Sequence, residues 1–422
     1  MPQYSAPRGT FDILPDDQPY WRQIANVAHT VTALSGYREL GIPIFEDALL
    51  FTKGIQAGTD IADKEMYIFK DRGDDLLALR PEFTAGNVRA YIEHGMHTLP
   101  QPVKIYNIGP VFRYDRPQAG RYRQLHQFNV EAFGSADPAV DFEIMSVAWD
   151  FFSQLGLKGL SFQINSIGDK ETRPAYIAAL RAHYQNHLDV ICADCKRRLE
   201  INPLRVLDCK EEQCQPVIAS APSTLDYLSD DARKHFDTLR GYLEQVGRPC
   251  HINHRLVRGL DYYTRTVFEV WAQSLGRQFA LCGGGRYDEL IERLGGKPTP
   301  AVGFAAGIDR TVLAMREEEL KPPALPSPQV FIAYQGDAAK TETIKLAMQL
   351  RAANVRVVMA FDSRSFKAQL KQADREGVQF ALILGDQELA AQQVTVKPMG
   401  GGEQASVGLE DVVGKVVGWL GW

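Results

Sequence analysis

Apolar and polar residues alternate on both sides of a short polar interruption in the first third of the chain. Val103, Ile105 and Tyr106 lead into it, and Phe128, Val130 and Ala132 lead out. Residues two apart in a strand share a face, so the pattern predicts two strands, with Gln127, Asn129 and Glu131 in a row on one face of the second. The interruption, Asp115–Gly120, contains Pro117 and Gly120 and reads as a turn. A polar row on a sheet face fits a ligand floor better than a core, although a solvated hairpin tip shares the same composition.

A second pattern begins near residue 329. Gln329–Tyr334, Val355–Phe361 and Gln379–Leu384 read as strands, and Ala338–Ala353 and Phe366–Glu376 have helical spacing. That order, β-α-β-α-β, predicts a small α/β domain over 328–422. Leu320–Pro328 ahead of it holds four prolines in nine residues and reads as a semi-rigid linker. Residues 1–325 form the other predicted domain, an antiparallel sheet flanked by helices. Within it, a largely helical and charged stretch from about 170 to 250 separates two strand-rich regions and reads as an insertion.

Composition narrows the class. The chain of 422 residues is 45% hydrophobic and 23% charged, as in ordinary globular proteins, with no apolar run long enough to span a bilayer. Its first residues show no apolar secretory core, so the expected location is the cytoplasm, with no membrane partner. The net charge of −5 weighs against a general phosphate binder that holds nucleic acid by bulk basicity. A local basic groove remains compatible with it.

Several segments carry chemistry. Arg113, Arg116, Arg121 and Arg123 lie in or beside the 115–120 turn, and arginine's planar fork suits phosphate and carboxylate. Leu79-Arg-Pro-Glu-Phe-Thr84 closes an apolar run. Read as strand, it puts Glu82 and Thr84 on one face, able to receive an ammonium, with Phe83 opposite. Val257–Glu269 contains Arg258 next to a glycine, then Tyr262 and Tyr263, which can offer a hydroxyl and a ring to a small polar aromatic ligand. Cys282-Gly-Gly-Gly-Arg-Tyr-Asp288 lacks the Lys-Ser/Thr ending of a P-loop and reads more simply as a strand where backbone approaches a ligand. Ala301–Arg310 reads as a strand running into a helix, with Arg310 near the anion-favouring helix start.

Six cysteines in a cytosolic chain imply reduced thiols. Cys192-x2-Cys195 and Cys209-x4-Cys214 have spacing compatible with a four-thiolate zinc site. Four unliganded thiols in a helical insertion are the simpler reading, and the sequence assigns no metal.

Taken together, these blocks resemble the class II aminoacyl-tRNA synthetases, and among them the histidyl enzymes, over essentially the whole chain. Gly41–Glu46, with Pro43, is similar to the first class motif, the Arg113 strand–loop–strand to the second, and Gly307–Arg310 to the third. Pro7–Pro15, Arg258-Gly-Leu-Asp-Tyr-Tyr263 and Gly283-Gly-Gly-Arg-Tyr-Asp288 resemble blocks particular to histidyl enzymes.

The resemblance implies ATP with Mg²⁺, L-histidine and tRNA(His) as ligands and a homodimer assembled through the first motif. It implies Arg113 on the α-phosphate, Arg310 on the γ-phosphate, and Arg121 neutralising phosphate charge. Glu82, Thr84 and Gln127 meet the histidine ammonium. Glu131 and Tyr263 hold the imidazole, and Tyr262 and Tyr287 line its pocket. Arg258 bridges carboxylate and α-phosphate, so Arg113 and Arg258 carry the catalysis. Arg116 and Gln118 read the 5′ end of the tRNA, and residues 328–422 bind the anticodon, with Arg364, Lys367 and Lys371 as local candidates. Two positions depart from the family's habit: Asp115 is shorter than the usual glutamate, and Phe83 is larger than usual.

A non-enzymatic regulatory subunit of histidine biosynthesis shares the catalytic fold. Such proteins lack the C-terminal domain and degrade the histidyl blocks, both of which are intact here. A prolyl or threonyl enzyme is disfavoured by Glu131 and the Tyr262-Tyr263 pair.

Overall fold

The strand–turn–strand pattern at 103–133 forms the spine of a large sheet. In this computed structural model, which describes residues 4–54, 65–116, 120–274, 277–361 and 365–421, the chain divides into two compact units, 1–323 and 324–422. The strands of the first unit, in chain order, are β1 (Arg38–Glu39), β2 (Phe45–Asp47), β3 (Ile68–Lys70), β4 (Leu76–Leu79), β5 (Val103–Phe112), β6 (Gln124–Phe133), β7 (Ser161–Ser166), β8 (Cys250–Ile252), β9 (Thr264–Ser274), β10 (Arg277–Arg286) and β11 (Ala301–Gly307). Eight of them form one sheet in the order β1-β5-β6-β11-β10-β9-β7-β8. Its interior is antiparallel, as the sequence predicts. The short edge pairs β1–β5 and β7–β8 are parallel, which makes the whole sheet mixed.

The two faces of this sheet differ sharply. On one, Phe128, Val130, Val302, Phe304, Phe268 and Val270 join the main apolar core with the helix Pro138–Gln154. That helix starts on Asp137, whose carboxylate accepts from the Ala139 N–H at 2.8 Å, and Pro138 follows at the position where a missing N–H costs nothing. On the other face, the register sets Glu131 beside Gly303, Asn129 beside Ala305 and Gln127 beside Gly307. Next along, Gly283 pairs with both Ala305 and Glu269. Polar side chains therefore alternate with positions that have almost no side chain, which leaves a recess above the sheet.

One charged cluster lies on the apolar side. Arg286, completely buried, donates to Asp141 through Nε and Nη2, to the Ser135 carbonyl at 2.8 Å and to Asp288 at 3.1 Å. His235 Nε2 lies 3.2 Å from Asp141. Burial alone would lift the Asp141 carboxyl, but Arg286 and His235 hold it below its ordinary range. Its contribution is present near neutrality and is lost as pH falls through that depressed pKa. The cluster ties the Gly-Gly-Gly-Arg block, the 138–154 helix and the helix Asp230–Gln245 together.

The stretch between β7 and β8 contains no strand among its described residues. It is built from helices Arg173–Gln185, Ala193–Ile201, Gln215–Ala219 and Asp230–Gln245 with 3-10 turns. The smaller unit has β12 (Val330–Tyr334), β13 (Val357–Met359), β14 (Phe380–Leu384), β15 (Gln393–Pro398) and β16 (Ala405–Gly408) in the order β13-β12-β14-β15-β16. The first three are parallel, as the β-α-β-α-β pattern predicts. The last two are an antiparallel extension the pattern did not reveal. No helix among the described residues is long and apolar enough to cross a membrane.

Asp141→Ala leaves the Arg286 guanidinium buried without its main counter-charge. A loss of ~3–5 kcal/mol of stability is expected, measured by denaturant unfolding at neutral pH, with the deficit shrinking as the parent is acidified.

Candidate active site

The recess above the polar face is a cavity of about 650 Å³, bounded by β6, β9, β10, β11, residues Arg113, Asp115 and Gly120 to Tyr122, and the Arg258–Tyr263 segment. Glu131 sits at its floor, 1% exposed. Its Oε1 accepts from Thr84 Oγ1 at 2.6 Å and from Asn129 Nδ2 at 3.0 Å, and its Oε2 accepts from the Tyr287 hydroxyl. A carboxylate has about four acceptor positions, so three fixed donors leave one, on Oε2, for a ligand N–H. Burial pushes the Glu131 carboxyl up to about 7 despite those three donors, and the nearby Glu82 adds to the rise.

Glu82 and Thr84 do not share a strand face. β4 ends at Leu79, and Thr84 is the first residue of the helix Thr84–Glu93. The Glu82 carboxylate accepts from the N–H groups of Thr84 at 2.6 Å and Ala85 at 2.7 Å, capping that helix start. The strand reading failed because Pro81 ends the extended run, after which the backbone turns at once into helix. Phe83 is buried, as a core role requires, but for a different reason: it precedes the helix, and the Arg80 guanidinium lies 4.4 Å from its ring centre.

Tyr262, Tyr263 and Tyr287 are buried together, with ring centres 4.8 to 6.3 Å apart. Asn129 is steadied by Asn87, which also donates to Asn107 at 2.7 Å across the strand pair. These two asparagines escape a motif search, and their only signal is amide side chains amid apolar strand and helix residues. Gln127 Oε1 is buried with no hydrogen-bond partner among the described residues, a polar atom available to a ligand.

Cationic groups ring the rest of the cavity. Arg113 Nε donates to the Pro81 carbonyl at 2.8 Å, just past the end of β5, and burial draws its pKa down. Arg258 Nη1 pairs with Glu269 Oε1 at 2.6 Å, while its Nε lacks a partner among the described residues. Glu269 also accepts from Trp271 Nε1 at 2.8 Å. It lies on the site face of β9, and a lone carboxylate inside Val-Phe-Glu-Val-Trp was the missed signal. Arg310, in the first turn of the helix Ile308–Glu317, donates to the Ala280 carbonyl at 3.0 Å. Burial, and then Arg121 nearby, lower its pKa. Arg121 is exposed and 3.4 Å from Asp115, whose carboxylate also accepts from the Arg116 N–H at 2.7 Å. Arg116 is exposed. Gln118 and Arg364 lie outside the described residues.

The glycines are explained by what a side chain would strike. A Cβ at Gly303 would lie 1.6 Å from Glu131 Oε2, and one at Gly283 would lie 2.2 to 2.3 Å from the Arg258 guanidinium. The triple glycine thus sits inside β10 and makes room for Arg258 and the neighbouring strand, consistent with a strand where backbone is approached closely rather than a phosphate loop.

Residues 9–311 match the family model described as histidyl-tRNA synthetase, and residues 329–419 match one described as an anticodon binding domain. The chain belongs to the histidyl-tRNA synthetase family. It is 51% identical to a histidine–tRNA ligase of Dehalococcoides mccartyi over 97% of this chain and 98% of that one. It is 46% identical to that of Desulforamulus reducens over 96% and 97%. The solved structure of apo S. aureus histidyl-tRNA synthetase superposes with a TM-score of 0.83 at 37% identity, covering 98% of this chain and all of that one. Histidyl-tRNA synthetases are class II enzymes that use ATP to ligate histidine to tRNA, and that is the activity of this chain. Full-length matches of this kind, reaching through the second domain, do not favour the regulatory-subunit alternative.

Gly283→Ala should displace Arg258 while sparing the fold, because the atoms in the way belong to the end of a flexible side chain. Histidine-dependent ATP–pyrophosphate exchange is expected to fall roughly 100-fold, with the thermal midpoint nearly unchanged. Exchange at the parent rate would show that the Arg258 position is unimportant.

Proposed function

We propose that the cavity binds histidine with its imidazole on Glu131 and lays ATP over the β9–β11 floor toward Arg310. The observation that carries this reading is the single acceptor position left on a buried Glu131 at the tyrosine-lined end of the cavity. One imidazole N–H fills it, and Tyr263 and Tyr262 face the ring. The ammonium lies toward Gln127 Oε1 and the Glu82 carboxylate, near the Thr84 hydroxyl, where acceptors gather. The carboxylate then points to Arg258.

Arg113 and Arg258, which both line the cavity, hold the α-phosphate and the attacking carboxylate in line. Arg310 takes the γ-phosphate at its helix start, and Arg121 adds positive charge from the loop. Chemistry is then positioning and charge stabilisation without a protein nucleophile. Magnesium, brought with ATP, would supply screening of phosphate charge, and the cavity-lining Glu269 carboxylate, which also pairs with Arg258, would hold it. Histidyl-adenylate and pyrophosphate result, and the terminal ribose hydroxyl of tRNA(His) attacks the adenylate.

Arg116 and Gln118 are the proposed readers of the tRNA 5′ end. Lys367 and Lys371, exposed on one helix of the smaller unit, are proposed anticodon-side contacts. That unit carries ten Lys plus Arg against ten Asp plus Glu, so its contacts are local. A homodimer through the segment around Pro43 has physical support in exposed apolar residues on and beside the β2-β4-β3 sheet: Ile44, Phe45, Ile68, Phe69 and Leu76. The cytoplasm is the proposed location.

Exchange assayed over all amino acids tests the assignment: histidine alone should support it, and intact histidine binding with no exchange would favour a regulatory role. Arg258→Ala should keep most histidine binding and lose most adenylation. Because Glu131 is a full acceptor only when ionised, kcat/KM for histidine should rise with pH through about 7. In Glu131→Gln that step should vanish, leaving only the titration of the substrate's own imidazole. An unchanged profile in the variant would remove Glu131 from the role.

A further inference from the structure

The cysteine-bearing part of the helical insertion, Tyr176 to Ile218, folds on a small core of its own, whereas the helix Asp230–Gln245 packs on the main core. Tyr176, Leu180, Tyr184, Leu199, Val206 and Val217 are among its twelve buried residues, and three of the four cysteines are too. Such a lobe has little hydrophobic stabilisation of its own, the circumstance in which small domains rely on a metal or disulfides.

The four cysteines, from two chain segments, converge. Their sulfurs all lie within 4.8 Å of one another, with Cys192–Cys209 at 3.8 Å and Cys195–Cys214 at 3.9 Å. A tetrahedron with metal–sulfur bonds of ~2.3 Å has sulfur–sulfur edges of roughly 3.8 Å. An iron–sulfur cluster would stand between its thiolates and hold them much further apart. Backbone N–H groups already point at the sulfurs, Cys192 N to Cys214 Sγ at 3.2 Å and Cys195 N to Cys192 Sγ at 3.4 Å. Such donors stabilise thiolate charge and orient ligands.

We propose that Cys192, Cys195, Cys209 and Cys214 bind one structural zinc ion per chain. The site is closed, with four protein ligands, so its part is to hold structure. What it holds lies close to the reaction centre. The 3-10 segment Pro203–Asp208 runs directly into Cys209, and its Arg205 donates to the backbone carbonyl of Arg258 at 3.4 Å. Cys209 and Lys210 also line the cavity. The zinc knuckle therefore braces the loop that presents Arg258, as a positioning element and not a catalytic one.

Metal content of the purified full-length protein, measured by mass spectrometry after gel filtration in metal-free buffer, should be one zinc per chain. Cobalt-grown protein should show the intense d–d bands of tetrahedral thiolate cobalt, a readout independent of any variant. The double variant Cys192→Ser/Cys209→Ser should lose the metal, and Cys250→Ser, outside the cluster, should retain it. Metal-free parent protein with six titratable thiols would overturn the proposal, as would stoichiometric iron, or zinc retained by the double variant.

Discussion

Keeping a carboxylate in the interior of a sheet is costly unless its oxygens are satisfied, and much of the larger unit is organised around Glu131. Thr84 reaches it from a helix start, Asn129 from the same strand and Tyr287 from the turn after β10. Gly303, its neighbour across the ladder, leaves the volume that its Oε2 occupies. Two elements remote in sequence thus join β6 at one carboxylate, and what the three donors leave open is a single acceptor position. In the proposed binding mode, a substrate without a ring N–H would leave that position buried and unpaired, a larger penalty than the loss of a single methylene group.

The same economy governs the rest of the sheet. One face is closely packed against the 138–154 helix, while on the other small residues on β10 and β11 make space for side chains arriving from β6, β9 and the Arg258 segment. Positive charge rings this recess and carboxylates stand within it, so a triphosphate and an amino acid can be held together in a net acidic protein. Specific recognition here is local, as the absence of bulk basicity requires.

Much of this was legible in the sequence. The strand–turn–strand, the polar row on β6, the linker and the parallel core of the second unit all follow from period and punctuation. The residues that the fold gathers around the cavity could be singled out because they lie in contiguous blocks. The Glu82–Thr84 geometry was misjudged because Pro81 marks a strand end and a helix start equally well, and only the backbone turn decides between them. Asn107 and Glu269 were missed because their roles depend on cross-strand register, which a single sequence does not specify, and Asn87 because its role depends on how a helix packs on that sheet. The parallel edges of the main sheet and the β15–β16 extension were missed for the same reason. The cysteine spacing was compatible with a metal site that the sequence did not assign, and the convergence of the two pairs is visible only in the fold.

The most direct measurement compares the affinity for histidine with that for a thienylalanine, whose ring has similar size but no N–H, by calorimetry on the full-length protein. A buried acceptor left unpaired predicts weaker binding by roughly 10⁴-fold or more. Binding of the two within about tenfold, the range set by ring shape alone, would contradict the central role given to Glu131.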